Sequence, residues 1–420
     1  MASLLLDVLP KFALAKLAQI AGEHGFLPDA YQIDCTPGSN DGDGYIARIV
    51  RVTIRGQRCK DGVAKADQEL SLICKFPFDD HQQREKFNSM LLFEREVYVY
   101  REVLPELTKI QLDHGLKQGD DVGFWSFPHC YWGMFDKEQQ ESILILEDLK
   151  ARGLEMKDKN VPSDYEHVET LMIALGKLNA CSFALKEQRP DIFEKVKKLD
   201  DLLCTVMTTE QTKTLARRNC ELAASIYTGD NETDKYWRDK FLSLKDSLWD
   251  KTRTRIAGQR AEPYAALNHG DCWINNVMYG YDQTTGKVKE IVMLDWQMAR
   301  YSSPALDFTN FIYLCGQISL RREKFNDLIK TFYGAFSTTL EKLGGQPSRS
   351  LPLETVLLHV QKFGAQVLAL GTFAMPIMTK LPEEFFENDN RYKQEFKPQL
   401  TVYTNMMKDF ISDCGKFDEL

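Results

Sequence analysis

The segment LNHGDCWINNVMYGYDQTTGKVKEIVMLDW, from Leu267 to Trp296, constrains the fold and chemistry of this chain more than any other. It places an Asp directly after His-Gly, two consecutive Asn residues shortly afterwards, and a second Asp behind an apolar run. The residues DQTTG between two apolar runs predict a β-hairpin, which would put the second Asp at a strand end near the first loop. Each residue alone is ordinary loop chemistry. Together, in this order, they match the requirements of a metal-dependent phosphoryl transferase.

The polar residues of this segment can be given chemical roles. Phosphoryl transfer needs a positioned metal, neutralised phosphate charge and an oriented nucleophile. Asp271 is the candidate to accept the proton of an attacking hydroxyl, and Asn276 and Asp295 offer the oxygen ligands that Mg²⁺ prefers. His269 is grouped with Asp271 as a catalytic residue, with the role of bracing the loop by hydrogen bonds and not of acting as a base.

Length and charge limit the classes of function. The 420 residues exceed one ordinary hydrophobic core, which predicts two domains. The net charge of −8 and the pI of about 5.6 argue against a nucleic-acid partner and against a polybasic membrane anchor. The N-terminus lacks a basic region and a cleavage signal, and no later window is predicted to reach the roughly 18 apolar residues of a membrane span. These observations predict a cytoplasmic protein with no membrane partner.

The ten cysteines point to the same compartment. None lies in a CxxC pair, so a zinc site is not expected. Several stand inside apolar runs such as LICKF and IYLCG. We interpret them as small buried hydrophobic side chains in a reducing environment.

Hydrophobic periodicity divides the chain into a strand-rich first third and a helix-rich remainder. We predict an N-terminal nucleotide-binding lobe over residues 1–149 and a C-terminal catalytic and acceptor-binding lobe over residues 150–420. The elements predicted before Lys150 are helices over residues 8–27 and 82–104 and strands in YIARIVRVTIRGQ, DQELSLICKFPF and ESILILEDL. A long helix is predicted in VPSDYEHVETLMIALGKLNACSFALKEQ, and residues 191–255 are mostly helical in pattern.

The motif HGDCWINN, followed by VMLDWQ, resembles the choline kinase and aminoglycoside phosphotransferase group, which are distant relatives of protein kinases. More closely, the chain resembles the insect ecdysteroid kinase-like family, also called CHK kinase-like. Further matches are FEREVYVYREVLP, PHCYW, ILEDL and PALDF, which together span most of the chain. The resemblance implies an α+β, two-lobed protein-kinase-like fold, with an antiparallel sheet and a helix in the N-lobe and a larger, mostly helical C-lobe. It also implies that ATP and Mg²⁺ bind between the lobes.

The resemblance assigns a phosphate-holding role to Lys75, in LICKF. A lysine inside an apolar strand is costly unless its ammonium is paired or reaches water. Glu96 on the following helix occupies the position of its partner, and Glu94 is the alternative. The turn containing Gly42 and Gly44 resembles the family's phosphate-covering turn, where glycine permits a close approach of the backbone to phosphate.

Two further segments are assigned by the resemblance. Residues Glu147, Asp148 and Leu149 resemble the hinge, whose main-chain groups would meet the adenine edge. Asp307 is expected to hold the catalytic loop by hydrogen bonds. The chain departs from the family pattern at Asn179, where the helix motif L-x-x-x-H-A-x-S has His, and at Ala47, where Ser is frequent.

The implied activity is an ATP- and Mg²⁺-dependent small-molecule kinase that transfers the γ-phosphate to an alcohol. The implied acceptors are an ecdysteroid hydroxyl or, for detoxification, a xenobiotic phenol or glycoside. Two alternatives remain. A protein kinase is disfavoured by HGD in place of HRD and by the missing activation segment. A catalytically silent hormone or xenobiotic carrier on a kinase-like scaffold is disfavoured because Lys75, Asp271 and Asp295 are all retained, together with Asn276.

Overall fold

The structure is a computed structural model that describes residues 9–38, 47–60, 63–86, 88–206, 209–382, 385 and 394–418. The chain forms two compact units. The first comprises Met1–Pro105, Phe127–Glu155 and Val292–Gln297, and the second comprises Glu106–Ser126, Met156–Ile291 and Met298–Leu420. The prediction used a single boundary after Leu149. In the structure, residues 106–126 instead belong with the second unit and residues 292–297 with the first.

The first unit is built on a five-stranded antiparallel sheet with the strand order β1-β2-β3-β5-β4. Its strands are β1 (Phe26–Pro37), β2 (Ala47–Lys60), β3 (Val63–Pro77), β4 (Cys130–Asp136) and β5 (Glu141–Glu147). Its helices are α1 (Lys11–Glu23), α2 (His81–Lys86) and α3 (Ser89–Tyr98), the last continued by a π-helical turn over Val99–Val103. Each of the strands and helices predicted before Lys150 has a counterpart here.

One face of this sheet forms the core of the first unit. In β2 the side chains of Val50, Val52 and Ile54 are buried at every second position, because successive residues of a strand point to opposite faces. Helix α1 packs on the same face through Leu17 and Ile20. The alternation that predicted β2 therefore also identifies its buried side.

Strand β1 was missed by the sequence analysis, which predicted a helix up to residue 27 and a loop afterwards. The helix ends at Glu23, and β1 begins at Phe26. The segment contains Pro28, and Asp29 has a left-handed backbone with φ of 59°. The register between β1 and β2 shifts in this stretch. An edge strand tolerates proline and irregularity because only one of its sides pairs, so the sequence signal for β1 is weak.

The second unit is mainly helical. Its helices are α4 (Leu104–Asp113, which begins in the first unit), α5 (Tyr165–Gln188), α6 (Pro190–Lys197), α7 (Leu202–Val206), α8 (Glu210–Ser225), α9 (Glu232–Leu244), α10 (Leu248–Ile256), α11 (Gly258–Ala261), α12 (Ala305–Leu314), α13 (Phe325–Lys342), α14 (Pro347–Ser350), α15 (Leu353–Phe363), α16 (Gln366–Met378) and α17 (Lys397–Asp413). The short strands are β6 (Glu155–Met156), β7 (Ala266–Asn268), β8 (Val277–Tyr281), β9 (Val288–Met293) and β10 (Arg300–Ser302), paired as β10-β7 and β6-β8-β9.

Helix α5 is the central helix of the second unit. The Asp164 side chain caps its N-terminus by accepting a hydrogen bond from the His167 main-chain N–H. Gly176 lets α13 approach closely, because a Cβ at this position would lie 2.4 Å from the Phe332 carbonyl oxygen. The helix has the length and mean hydropathy, 1.3, of a membrane span, but 78% of the apolar window is buried inside the protein. The prediction that no window reaches this apolar length was wrong, because a fully buried core helix has the same composition.

The cysteines behave as predicted within the described part of the chain. Of the nine cysteines whose side chains the structure describes, seven are buried and none forms a disulfide. Burial raises the pKa of Cys74 and of Cys181, the latter to about 12. These thiols therefore stay protonated and unreactive near neutral pH.

Candidate active site

Lys75 is the centre of a charged cluster in the first unit. Its ammonium nitrogen lies 2.7 Å from Glu96 Oε2 and 2.5 Å from Asp295 Oδ1. Lys75 is on β3, Glu96 is on α3, and Asp295 follows β9, so three distant chain segments meet at one ammonium group. The pairing predicted for Lys75 and Glu96 is present, whereas the contact between Lys75 and Asp295 was not predicted. Glu94, the alternative partner, is exposed.

The charges in this cluster influence one another strongly. Burial lowers the pKa of Lys75, but Asp295 and then Glu96 outweigh it, so that the pKa of Lys75 is raised and the ammonium stays charged. Burial raises the pKa of Glu96, although the ammonium of Lys75 opposes this shift. Two carboxylates share one cation, and the cluster is therefore suited to receive further positive charge.

The chain around Asp295 has an unusual backbone. Asp295 has φ of 63°, in the left-handed region that Asp visits more readily than most residues. The main chain of Trp296 hydrogen-bonds the Glu96 carboxylate. The Trp296 ring is fully buried, and its Nε1 donates to the Met293 carbonyl oxygen at 3.2 Å. The hydrogen bonds of Trp296 thus hold this turn to α3 and to β9, and the Asp295 side chain is 26% exposed.

The predicted hinge residues are held mainly through their side chains. Asp148 is buried and accepts hydrogen bonds from Arg51 Nε at 2.6 Å and from Ser71 Oγ at 2.7 Å. Burial opposes ionisation of Asp148, but these hydrogen bonds, led by that from Arg51, lower its pKa. The Glu147 carboxylate accepts from Arg152 Nη1 at 2.9 Å.

Main-chain groups at the hinge are partly occupied as well. The carbonyl oxygens of Asp148 and Leu149 accept from the N–H groups of Ala151 and Arg152. A carbonyl oxygen has two lone pairs, so the Asp148 carbonyl oxygen can still accept a further hydrogen bond. Gly42 and Gly44, the predicted phosphate-covering turn, lie outside the described residues.

In the second unit, Asp307 holds the loop that begins at His269. Its carboxylate accepts from the His269 N–H at 2.6 Å and from the Gly270 N–H at 3.0 Å. Gly270 has φ of 87°, and a Cβ there would lie 1.8 Å from the Met298 carbonyl oxygen, so only glycine fits. The prediction that Asp307 holds the loop by hydrogen bonds is confirmed.

Asp271 and Asn276 face each other across this loop. The Asn276 side-chain amide donates to Asp271 Oδ2 at 2.8 Å and to the Asp271 carbonyl oxygen at 2.9 Å. Because its NH₂ group is used in this way, the amide oxygen of Asn276 is the atom suited to bind a cation. His269 is fully buried, which agrees with a loop-bracing residue and not with one that meets an acceptor.

Two residues of α5 support the strand that leads into the loop. Asn179 Nδ2 donates to the Leu267 carbonyl oxygen at 2.9 Å, and Ser182 Oγ accepts from the Leu267 N–H at 2.9 Å. Both side chains are buried. Asn179 therefore supplies a donor where the family pattern has His. Sequence reasoning noticed Asn179 but missed Ser182, although the A-x-S part of the motif was a usable signal.

The candidate metal ligands have the chemistry that Mg²⁺ prefers when phosphates and waters complete its coordination. Among the described residues there is no group of three or more His, Cys, Asp or Glu side chains suited to a metal. Mg²⁺ commonly takes one or two protein oxygens and completes its shell with phosphates and waters. The Asp295 carboxylate in the first unit and the Asn276 amide oxygen in the second unit are each a ligand of this kind.

A strand lysine paired with a helix glutamate is the arrangement by which kinases hold nucleotide phosphates. With the antiparallel sheet of the first unit and the larger helical second unit, it defines the protein as a kinase-like phosphotransferase. Residues 41–345, more than half of the chain, match the model of the ecdysteroid kinase-like family. The chain belongs to this family, and the resemblance stated from its motifs is confirmed.

The other comparisons are distant. Two solved structures of GDP complexes of aminoglycoside 2'-phosphotransferase-IIIa, one wild-type and one a point mutant, are each 11% identical to this chain, with TM-scores of 0.39. Both alignments cover 95% of this chain, and they cover 97% of the mutant and 99% of the wild-type structure. A comparison with curated protein sequences gives no match.

Proposed function

We propose that this protein is an ATP- and Mg²⁺-dependent kinase that transfers the γ-phosphate to an alcohol, either an ecdysteroid hydroxyl or a hydroxyl of a xenobiotic phenol or glycoside. The observation that carries the proposal is the contact between Asp271 and Asn276. It fixes the position of the Asp271 carboxylate within the loop and presents the amide oxygen of Asn276 for a cation. Family membership supports the same activity.

Each of the candidate site residues would have a distinct role in the reaction. Lys75 would exchange its contact with Asp295 for phosphate oxygens, while Glu96 keeps the ammonium in position. Asp271 would orient the acceptor hydroxyl and take its proton as the acceptor oxygen bonds to the γ-phosphorus, while the bond from that phosphorus to the β–γ bridging oxygen breaks and ADP leaves. Asp307 would keep the loop of Asp271 in this geometry by holding its main-chain N–H groups.

Mg²⁺, when bound, would neutralise the charge of the phosphates. Asp295 and Asn276 are the residues that we propose to hold it. The buried ammonium of Lys75 attracts the anionic phosphates of a nucleotide, and the carboxylates of Glu96 and Asp295 attract a divalent cation. This cluster therefore supports a site for a nucleotide together with a divalent cation.

The test is transfer of labelled γ-phosphate from ATP to a panel that contains ecdysone, plant phenols, phenyl glycosides and choline. The Asp271→Asn variant should lose about 10²- to 10⁴-fold in kcat, the range of general-base contributions. The matched control is Asp282→Asn in the exposed hairpin turn. A thermal shift with ATP and Mg²⁺ measures nucleotide binding separately, because a ligand of the native state raises Tm.

The outcomes separate the alternatives. Transfer to a steroid or phenol that Asp271→Asn abolishes and Asp282→Asn retains would establish the proposal. Nucleotide binding without transfer to any acceptor in the panel would contradict the proposed acceptors. The absence of a metal-dependent thermal shift would overturn the kinase and favour a silent binding protein.

A further inference from the structure

Trp273 stands two residues after Asp271, and its exposure is unusual. All six tryptophans lie within the described residues, and Trp273 is the exposed one, at 40%. Cys272 and Ile274 on either side are buried, whereas Asp271 is partly exposed. This alternation leaves the side chains of Asp271 and Trp273 accessible to solvent, with the buried Cys272 between them.

The backbone at Trp273 is fixed although the ring is exposed. The residue is extended, with φ of −146° and ψ of 172°, and its carbonyl oxygen accepts from the Asn276 N–H at 2.9 Å. The exposed part of this apolar ring contacts water, and its burial against an apolar ligand would be favourable. Such a ring also loses little conformational entropy when a ligand binds.

Two neighbouring segments are tied to this loop by hydrogen bonds. The Ile274 N–H donates to the Cys315 sulfur. The Cys315 carbonyl oxygen in turn accepts from the Ser163 N–H at 2.7 Å, and the Ser163 carbonyl oxygen accepts from the Gln317 N–H at 2.9 Å. The loop of Asp271, the end of α12 and the segment before α5 therefore form one connected region of the second unit.

Each of these three segments carries an exposed large apolar side chain. Ile318 is 43% exposed and Val161 is 46% exposed, beside the 40% of Trp273. An exposed tryptophan ring two residues from a candidate proton-accepting carboxylate fits an alcohol carried on an apolar ring framework. A quaternary ammonium such as choline needs a cage of several aromatic rings, and the other exposed apolar side chains of these segments, Ile318 and Val161, are aliphatic.

We propose that Trp273 is a specificity-determining residue that contacts the ring framework of the acceptor while Asp271 meets its hydroxyl. This inference rests on the proposed function and narrows its acceptor to alcohols on flat, apolar rings, such as steroids and phenols. Glycerol, choline and other acceptors without an apolar ring gain nothing from this contact.

The experiment compares Trp273→Ala, Trp273→Phe and the control Leu358→Ala, which removes an exposed apolar side chain on α15. Binding of ecdysone is measured by calorimetry without nucleotide, and KM values are measured for ecdysone, a phenol, glycerol and ATP. Trp273→Ala should weaken ecdysone binding and raise the KM of ring-bearing acceptors about tenfold or more, the effect of losing one large apolar contact. Trp273→Phe should retain most of the affinity, and the KM for ATP should stay unchanged.

The proposal is overturned if wild-type protein does not bind ecdysone or the phenol, or if Trp273→Ala binds them as tightly as Leu358→Ala does. Binding through Trp273 without phosphoryl transfer would support the contact and contradict the proposed kinase reaction. Transfer to ecdysone that is insensitive to Trp273→Ala would support the kinase and overturn the contact. The two failures are therefore distinguishable.

Discussion

Lys75 in the first unit and Asp271 in the second are both ionisable side chains beside apolar sequence, but their surroundings differ. Lys75 is buried and is held by two carboxylates that come from other parts of the chain. Asp271 is held by a neutral amide from its own loop, and that loop is anchored by hydrogen bonds to main-chain N–H groups. The first arrangement depends on charge balance, and the second depends on local geometry.

This difference predicts which substitutions each region tolerates least. Removal of one partner from a buried ion pair leaves an uncompensated charge, which costs far more than the net strength of the pair. Removal of a neutral hydrogen bond costs about 1 kcal/mol when its partner can relax or meet water. Stability should therefore respond most to changes around Lys75, and turnover should respond most to changes around Asp271.

The largest stability effect is expected for Lys75→Met. Glu96 would remain buried without its cation, which should lower the free energy of unfolding by about 3–5 kcal/mol. Urea denaturation of Lys75→Met, Glu96→Gln and the double variant measures this effect. The double variant should recover part of the loss, and Glu94→Gln should be neutral because that side chain is exposed. Wild-type stability of Lys75→Met would contradict the view that the region around Lys75 depends on charge balance.

Acid should weaken the second unit through His359. Burial, with a smaller contribution from Lys362, lowers the pKa of His359 from 6.5 to about 4. The unfolded chain then binds this proton at a higher pH than the folded protein does. The associated stability, up to about 3 kcal/mol, is complete above pH 6.5 and is lost as pH falls towards 4.

The measurement is the free energy of unfolding against pH for wild type and His359→Gln, with His81→Gln at the surface as the control. The difference between wild type and His359→Gln should change between pH 6.5 and 4 and stay flat above. His359 Nδ1 lies 2.9 Å from Ser303 Oγ, which accepts from the Ala305 N–H at the start of α12. Because α12 carries Asp307, a flat difference across the whole range would contradict the view that a neutral His359 supports this region.

Asp307→Asn should affect turnover more than stability. The variant loses one of the two charge-assisted hydrogen bonds to the loop, and such bonds contribute about 1.5–3 kcal/mol each. We expect kcat to fall roughly tenfold to a hundredfold, with the KM for ATP unchanged. The measurement is steady-state kinetics of Asp307→Asn, with Asp282→Asn as the control variant. A raised KM for ATP with normal kcat would show that the loop serves nucleotide binding instead.

The smallest effect is expected at Asn179. Asn179→Ala removes one neutral hydrogen bond to Leu267, worth about 1 kcal/mol, and should lower kcat a few-fold. Asn179→His, which restores the family residue, should retain activity if the ring N–H reaches the same carbonyl. Asn160→Ala in an exposed turn is the control. Equal activity of the Ala and wild-type proteins would show that Ser182 alone positions this strand.

Several of these contacts were predictable and others were not. The pairing of Lys75 with Glu96 and the role of Asp307 were implied by the family resemblance of their motifs, and the pairing also agrees with the need of a buried cation for an anion. The contacts of Asp295 with Lys75 and of Arg51 with Asp148 join residues 220 and 97 positions apart in the chain. No local pattern specifies which distant segments meet.

The sequence by itself determined the family, the division into a strand-rich first third and a helix-rich remainder, and the identity of the polar residues in the loop after β7. Local chemistry is sufficient for these features, because strand alternation, turn residues and motif spacing are short-range properties. Only the tertiary structure decided that Asp295 contacts the ammonium of Lys75 and that the ring of Trp273 is exposed. It also decided that two side chains of α5 hydrogen-bond the N–H and the carbonyl oxygen of Leu267. Burial and charge pairing are set by the packing of segments that are far apart in sequence, and this information is not present in any short stretch of the chain.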